Sequence, residues 1–165
     1  MSSGAGTLGT VVADISYGDD IPTDAELRLS GDVSGGRRAV ELGISDWFNA
    51  VEFAQSGAKA IAVDPDPDKI AEMRSRAEAA EVSVQCHASD LADLGEITSG
   101  TIDVVVASHT IERVDDLSRL LRQVHRILIP NMPFLISVTH PFAVVSDAAP
   151  YGSTARSIED WFTSL

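Results

Sequence analysis

The 165-residue sequence predicts an α/β domain built on a doubly wound, mostly parallel sheet. Two observations carry that expectation. From Arg38 onward short apolar runs alternate with longer amphipathic segments, five runs in all, and the segments are punctuated by Gly57, Pro67 and Pro130. The run "TIDVVVASH" places four apolar residues in a row, as in a strand whose two faces are both covered by crossover helices.

Taken in order, Met1 to about Thr10 is Gly, Ser and Thr with too little apolar content to offset the entropy of ordering, which predicts a loose arm over residues 1–15 ahead of one domain over 16–165. Thr23 followed by Glu26 matches a capping box and predicts a short helix from Asp24 to about Leu29. "RAVEL" and "AKAIAV" read as strands. Between them "DWFNAVEFAQSG" sets Phe48, Val51 and Phe53 or Ala54 near helical spacing, with Gly57 to end the helix.

Pro67 suits a first helical turn, and Ile70, Met73 and Ala77 then fall on one face. "VSVQCHA" and "TIDVVVASH" are the third and fourth strands, "LSRLLRQVHRIL" is an amphipathic helix stopped by Pro130, and "PFLISVTHP" is the fifth strand after a loop at Asn131-Met132. The last segment predicts a turn-rich stretch and a helix from Ser157 carrying Ile158, Trp161, Phe162 and Leu165.

Twelve Lys and Arg against 25 Asp and Glu give a net charge of −13, which disfavours nucleic acid and anionic membrane surfaces as partners. Cys86, alone of its kind, forms no internal disulfide and suits a small buried hydrophobe. The start "MSSGAGTLGT" lacks the basic and apolar regions of a signal peptide, and no window approaches the roughly 20 apolar residues of a membrane span. A cytoplasmic protein is the expectation.

Ligands of an open parallel sheet bind beyond the carboxyl ends of the strands. The residues to weigh are therefore Gly43-Ile44-Ser45-Asp46, Asp64-Pro65-Asp66, Ser89-Asp90-Leu91 and Ser108-His109-Thr110. Asp64 stands 21 positions after Gly43, the spacing at which an acid holds a ribose diol, while Asp66 before Pro67 is the better helix cap. The series Asp64, Asp66, Asp68 is no calcium loop, because Lys69 and Ser75 occupy the positions that need Gly and Glu. No metal is expected.

The ordered set "RAVELG", "AIAVDPDPDKI", "HASDLADL", "IDVVVASHTIERVDDLSRLLRQVHRILIP" and "FLISVTHPF" resembles the class I S-adenosylmethionine-dependent methyltransferases from about Tyr17 to Phe142. Within them it is similar to small-molecule enzymes of actinobacterial type. The resemblance implies a Rossmann-like fold, S-adenosyl-L-methionine as cofactor and a small-molecule methyl acceptor. It implies that Glu41 and Gly43 approach the amino acid part of the cofactor, Asp64 holds the ribose, and Pro65 lies beside the adenine. It implies further that Asp90 and Leu91 read the adenine, and that Ser108 and His109 line the methionine end. Seven strands are usual in that family, so the fold is expected to lack the last strands and leave the fifth as an open edge, available to a second copy.

The first motif of the family usually carries three glycines, and here the second and third positions hold Ser45 and Trp47. A rebuilt turn would let Ser45 or Asp46 cap the next helix and turn the Asn49 amide to the cofactor carboxylate. Alternatively Trp47 fills the cofactor's space, leaving a non-catalytic interaction module that docks through its fifth strand. A dinucleotide enzyme fits less well, since a pyrophosphate wants glycines and no Asp46 in the turn. An acidic rim at Glu41, Asp46 and Asp64 would instead suit a sulfonium. Methyl transfer depends mainly on positioning, so no catalytic residue is required; His109, Glu112 and His140 are the nearest candidates for a base.

Overall fold

The computed structural model describes residues 12–140. The terminal helix expected from Ser157 and most of the expected arm lie outside them. The described elements run α1 (Asp24–Leu27), β1 (Arg38–Leu42), α2 (Asn49–Gln55), β2 (Lys59–Asp64), α3 (Pro67–Ala79), β3 (Val84–Ala88), β4 (Val104–Ser108), α4 (Leu117–Ile127) and β5 (Phe134–Ser137). All five strands are parallel in the order β3-β2-β1-β4-β5. The fold class is the one the alternating pattern predicts.

Period-two alternation in β1 decides which side chains meet which layer. Ala39 joins the core under α2 and α3, whereas Val40 and Leu42 join the core under α4. The second face is completed by a segment without a helix, in which Leu91, Ala92, Leu94 and Ile97 are all buried. On α3 the spacing of Ile70, Met73 and Ala77 buries one stripe, and full burial of Ile70 or Met73 contributes about 2 kcal/mol each. Asp66 caps this helix by accepting from the Asp68 amide at 2.9 Å, with Pro67 in the first turn. Cys86 is partly buried and packs against the same core.

Two local expectations are corrected. The loose arm cannot extend to residue 15, because Ala13 and Ile15 are fully buried and packed with Tyr17. The capping box does not form either: Thr23 makes no side-chain cap, and α1 ends at Leu27 with Arg28 left-handed. Asp24 organises this region instead. Fully buried, it accepts from the Tyr17 hydroxyl at 2.8 Å, the Leu29 amide at 2.6 Å, and the amide and hydroxyl of Ser30.

Burial, with the Asp24 carboxylate beside it, raises the Tyr17 phenol well beyond the ordinary tyrosine range. In an ultraviolet titration Tyr17 is therefore expected to stay protonated at pH 11, where an ordinary tyrosine has ionised. The comparison with Tyr17→Phe isolates its absorbance from that of Tyr151. Ionisation of Tyr17 at its usual pH would show that the lead-in does not pack as described.

β1 runs to β2 on one side and has β4 on the other, so the chain changes direction between β1 and β4. That switch point opens a crevice at the carboxyl ends of the strands. At the far side β5 pairs with β4 alone among the described residues, and Ile136 and Val138 are exposed there.

Candidate functional site

The first turn after β1 is built around Gly43 and Glu41. Gly43 has φ +77°, and a Cβ there would stand 2.4 Å from Thr110 Cβ. Thr110 is held in that place by donating its hydroxyl to the Leu42 carbonyl at 2.5 Å. Glycine is thus needed twice over, for its backbone angle and for the approach of the β4 loop.

Glu41 is completely buried and is used inside the turn. One oxygen accepts from the Ser45 amide at 3.0 Å and hydroxyl at 2.7 Å, and the other accepts from the Ala50 amide at 2.8 Å. Burial raises its pKa against the opposing pull of those donors. The expected cap by Ser45 or Asp46 is corrected accordingly. The helix follows Phe48, whose φ is +51°, and it is Glu41 from the neighbouring strand that accepts from the free amide of its second residue, Ala50. Arg76 of α3 lies 4.0 Å from the centre of the Phe48 ring, pinning the rebuilt turn from outside.

Asn49 is fully buried, and its amide is taken up by the lead-in and the end of β4. Its amide exchanges two 2.8 Å hydrogen bonds with the backbone of Ser16 and donates to Ser108 Oγ at 3.2 Å. Ser108 in turn donates to the Ser16 carbonyl at 2.8 Å. These two buried residues tie the lead-in across the sheet. Trp47 goes neither into the core nor into the crevice: its indole donates to Asp19 at 3.2 Å, and its ring centre is 6.0 Å from that of His109.

The crevice is a cavity of about 430 Å³ lined by Gly43, Asp64, Pro65, Lys69, Leu91 and His109, among others. A second cavity of about 370 Å³ shares Pro65 and Leu91 with it and is lined further by Asp90 and Ala92. A further cavity of about 590 Å³ opens at the amino ends of β1 and β2, away from every predicted site residue. Asp64 is nearly buried, accepting from the Ile44 amide at 2.8 Å and the Asp66 amide at 2.9 Å, one on each oxygen. A carboxylate has about four acceptor sites, so two remain for a ligand.

Of the residues singled out from sequence, the structure brings Gly43, Asp64, Pro65, Asp90, Leu91 and His109 to the crevice wall. The side chains of Glu41, Ser45, Asn49 and Ser108 stand behind it as buried supports. The expected acidic rim shrinks to Asp64 among its three members, because Glu41 is turned inward and Asp46 lies out in solvent. Sequence reasoning missed Lys69, whose ammonium donates to the Ile44 carbonyl at 2.8 Å, as well as Arg113, while Thr110, weighed with the strand end, does line the crevice. The third position of the helix opened by Pro67 was the signal for Lys69, since a first-turn side chain there reaches the strand ends.

The residues present fit S-adenosylmethionine in part by side chain and in part by backbone. Asp64 offers acceptors to a diol, and Asp90 beside apolar Leu91 suits an amino-substituted ring. Asp90 keeps acceptor capacity after taking the Ala92 amide at 2.7 Å. At the methionine end the wall is the Gly43 turn with Thr110 and His109.

His109 is itself unusual, with φ +55°, a left-handed angle costing a non-glycine residue about 1 kcal/mol. Its amide donates to the Ser137 carbonyl at 3.0 Å, and its Nδ1 is 3.3 Å from Glu112 Oε1. The same Glu112 oxygen accepts from the Thr139 amide at 2.5 Å, which holds the carboxyl below the usual range.

The architecture and crevice define a doubly wound domain of the kind that binds ligands beyond the carboxyl ends of its strands, at the switch point between β1 and β4. A methyltransferase-domain family profile matches residues 40–136, more than half of the chain. The chain belongs to that methyltransferase domain family, of the class I type whose cofactor is S-adenosylmethionine. An S-adenosylmethionine-dependent methyltransferase from Mesorhizobium loti is 28% identical, with TM-score 0.58 over 72% of this chain and 54% of its own. A SAM-dependent methyltransferase from Aquifex aeolicus shares the fold at 14% identity, with TM-score 0.60 over 68% of this chain and 61% of its own. The chain spans about half the length of the first solved structures it matches. No curated protein matches it. No helix among the described residues is long and apolar enough to cross a membrane.

Proposed function

We propose that this domain binds S-adenosylmethionine in the crevice and transfers its methyl group to a small molecule. The observation that carries the reading is the pair of neighbouring cavities that share Pro65 and Leu91, with Gly43 and Asp64 in one and Asp90 in the other, which presents acceptors in the order that a methionine, ribose and adenine would need them. Asp64 would hold the ribose hydroxyls, Pro65 and Leu91 would flank the ring, and Asp90 would accept from its amino group. When bound, S-adenosylmethionine supplies a methyl on a sulfonium, whose C–S electron pair leaves with sulfur as a neutral thioether. The protein's part is to hold and orient, and to exclude water from the crevice.

Lys69, Arg113 and Arg119 stand against Asp64, Asp66, Asp90, Glu112, Asp115 and Asp116 in the lining of the two cavities, which is therefore net negative. That supports a zwitterionic ligand over a pyrophosphate, and Asp64 at the turn argues the same way. Calorimetry with S-adenosylhomocysteine tests the reading. Micromolar binding is expected, weakened about 10- to 100-fold by Asp64→Ala, the loss of a charge-assisted hydrogen-bond acceptor. No heat and no thermal stabilisation at saturating ligand would remove it.

A further inference from the structure

We infer that the cavity at the amino ends of β1 and β2 is a second ligand site, and that its ligand is a small organic phosphomonoester gripped by Arg38 and Lys59. The inference stands apart from the methyl-transfer reading. β2 runs from Lys59 at this cavity to Asp64 at the crevice, which sets the two residues about 16 Å apart at opposite ends of one strand.

The cavity, of about 590 Å³, is of a size that holds a small organic ligand. Its charged lining is Arg38 and Lys59 with no acid, although the chain carries 25 Asp and Glu against 12 Lys and Arg. Ser83 and Gln85 add polar groups, and Ile61 and Val82 are among the residues that give it an apolar side.

Neither cation is used inside the protein. Among the described residues, Arg38 and Lys59 take part in no ion pair. Asp103 meets Arg38 only at the backbone, accepting from its amide at 2.9 Å. The helix ends beside the cavity have no call on the two charges either. The Phe53 and Ala54 carbonyls at the end of α2 are taken by the amides of Ala58 and Gly57, and the Ala77 carbonyl of α3 by the amide of Val82.

The two charges are also set side by side. Arg38 and Lys59 are partners in the parallel register of β1 and β2, on strands about 4.8 Å apart. Like charges at that spacing, with no acid lining the same cavity, are a cost to the protein by itself, and an anion between them turns the cost into a gain. Ser83 extends the row onto β3, because it precedes Val84 as Lys59 precedes Ala60, and those two residues are paired.

The chemistry of the lining selects the ligand. A phosphomonoester carries nearly two negative charges at neutral pH and three terminal oxygens, enough for the guanidinium, the ammonium and the Ser83 hydroxyl. A carboxylate offers one charge and two oxygens. The apolar side suits the organic part of the molecule. A polyanion would be repelled by the net charge of −13, which confines the ligand to a small molecule.

Calorimetry at low salt with phenyl phosphate, inorganic phosphate and benzoate tests the assignment. Phenyl phosphate is expected to bind with a submillimolar Kd, at least about tenfold more tightly than inorganic phosphate, which lacks the apolar part, or benzoate, which lacks the second charge. Arg38→Gln and Lys59→Gln are each expected to weaken it at least about tenfold, and Arg122→Gln, the same change of charge on the exposed side of α4, less than about twofold. The Kd for S-adenosylhomocysteine is expected to stay within about twofold in all three variants, since the crevice is at the other end of the sheet. Urea unfolding without phosphate supplies the structural control. Lys59→Gln is expected to unfold at a midpoint no lower than that of the wild type, because a repulsion is removed. A lower midpoint would assign the cations to the fold and overturn the site. Absence of phenyl phosphate binding at millimolar concentration, or binding that survives both substitutions, also overturns it, and equal affinity for benzoate or inorganic phosphate overturns the ligand class. Failure of the wild type to bind S-adenosylhomocysteine would bear on the methyl-transfer reading alone.

Discussion

Glu41→Ala is expected to lose about 3 kcal/mol of stability, because two buried amides are left without an acceptor at about 1–3 kcal/mol each while the desolvation cost of the charge is returned. The Ser45 hydroxyl can turn elsewhere; the amides of Ser45 and Ala50 cannot. Glu41→Gln is expected to lose less, about 1–2 kcal/mol, since it keeps one acceptor but points an NH₂ at a donor. Urea unfolding measures both.

The pH dependence of that comparison has a defined sign. Burial raises the folded-state pKa of Glu41 above its ordinary 4.5, so the folded protein binds this proton more tightly than the unfolded chain does. Its contribution is complete below the unfolded value and is lost as pH rises through the folded one. The stability gap between wild type and Glu41→Gln is therefore expected to narrow from about pH 4.5 upward. A gap that widens would mean that the three hydrogen bonds outweigh burial.

Periodicity makes the sheet legible, because strands covered on both faces must be apolar throughout and the helices between them must show one apolar stripe. The same logic shows why the ordered chain begins earlier than composition suggests. Ala13, Ile15 and Tyr17 alternate with Asp14 and Ser16, a period-two pattern that places the odd positions in the core, but the Gly- and Ser-rich residues before them dominate a composition-based reading. The crevice frame was legible through the spacing of Gly43, Asp64 and Asp90.

What sequence could not supply is direction. Glu41 sits in a strand next to a glycine turn whether it faces ligand or helix, and its choice of Ala50 depends on where α2 starts. Asn49 and Ser108 lie 59 positions apart, and nothing local shows that the lead-in passes between them at Ser16. Trp47 is the clearest case. In the chain it replaces a glycine and threatens the cleft, yet the turn is redirected by Glu41 and by the left-handed Phe48, and the indole leaves toward Asp19. The missing glycines are matched by a different route for the backbone, with the first glycine kept.

That retained glycine makes Gly43→Ala the sharpest test of the site's construction. A methyl group at φ +77° costs about 1–2 kcal/mol from backbone strain alone. It would also meet Thr110 Cβ at 2.4 Å, a contact no real Cβ tolerates, so the β1 and β4 loops must separate. Together a loss of about 3–4 kcal/mol is expected. The shift would draw the Ile44 amide from Asp64, whose 2.8 Å bond sets the carboxylate in place, and S-adenosylhomocysteine binding is expected to weaken at least tenfold. The two costs can be separated. Thr110→Gly removes the obstructing atoms but leaves the backbone angle, so the double variant should be about 1–2 kcal/mol more stable than the sum of the single losses predicts. Strict additivity in that cycle would mean that the loops do not meet at Gly43 and Thr110, and the crevice wall drawn from them would have to be abandoned.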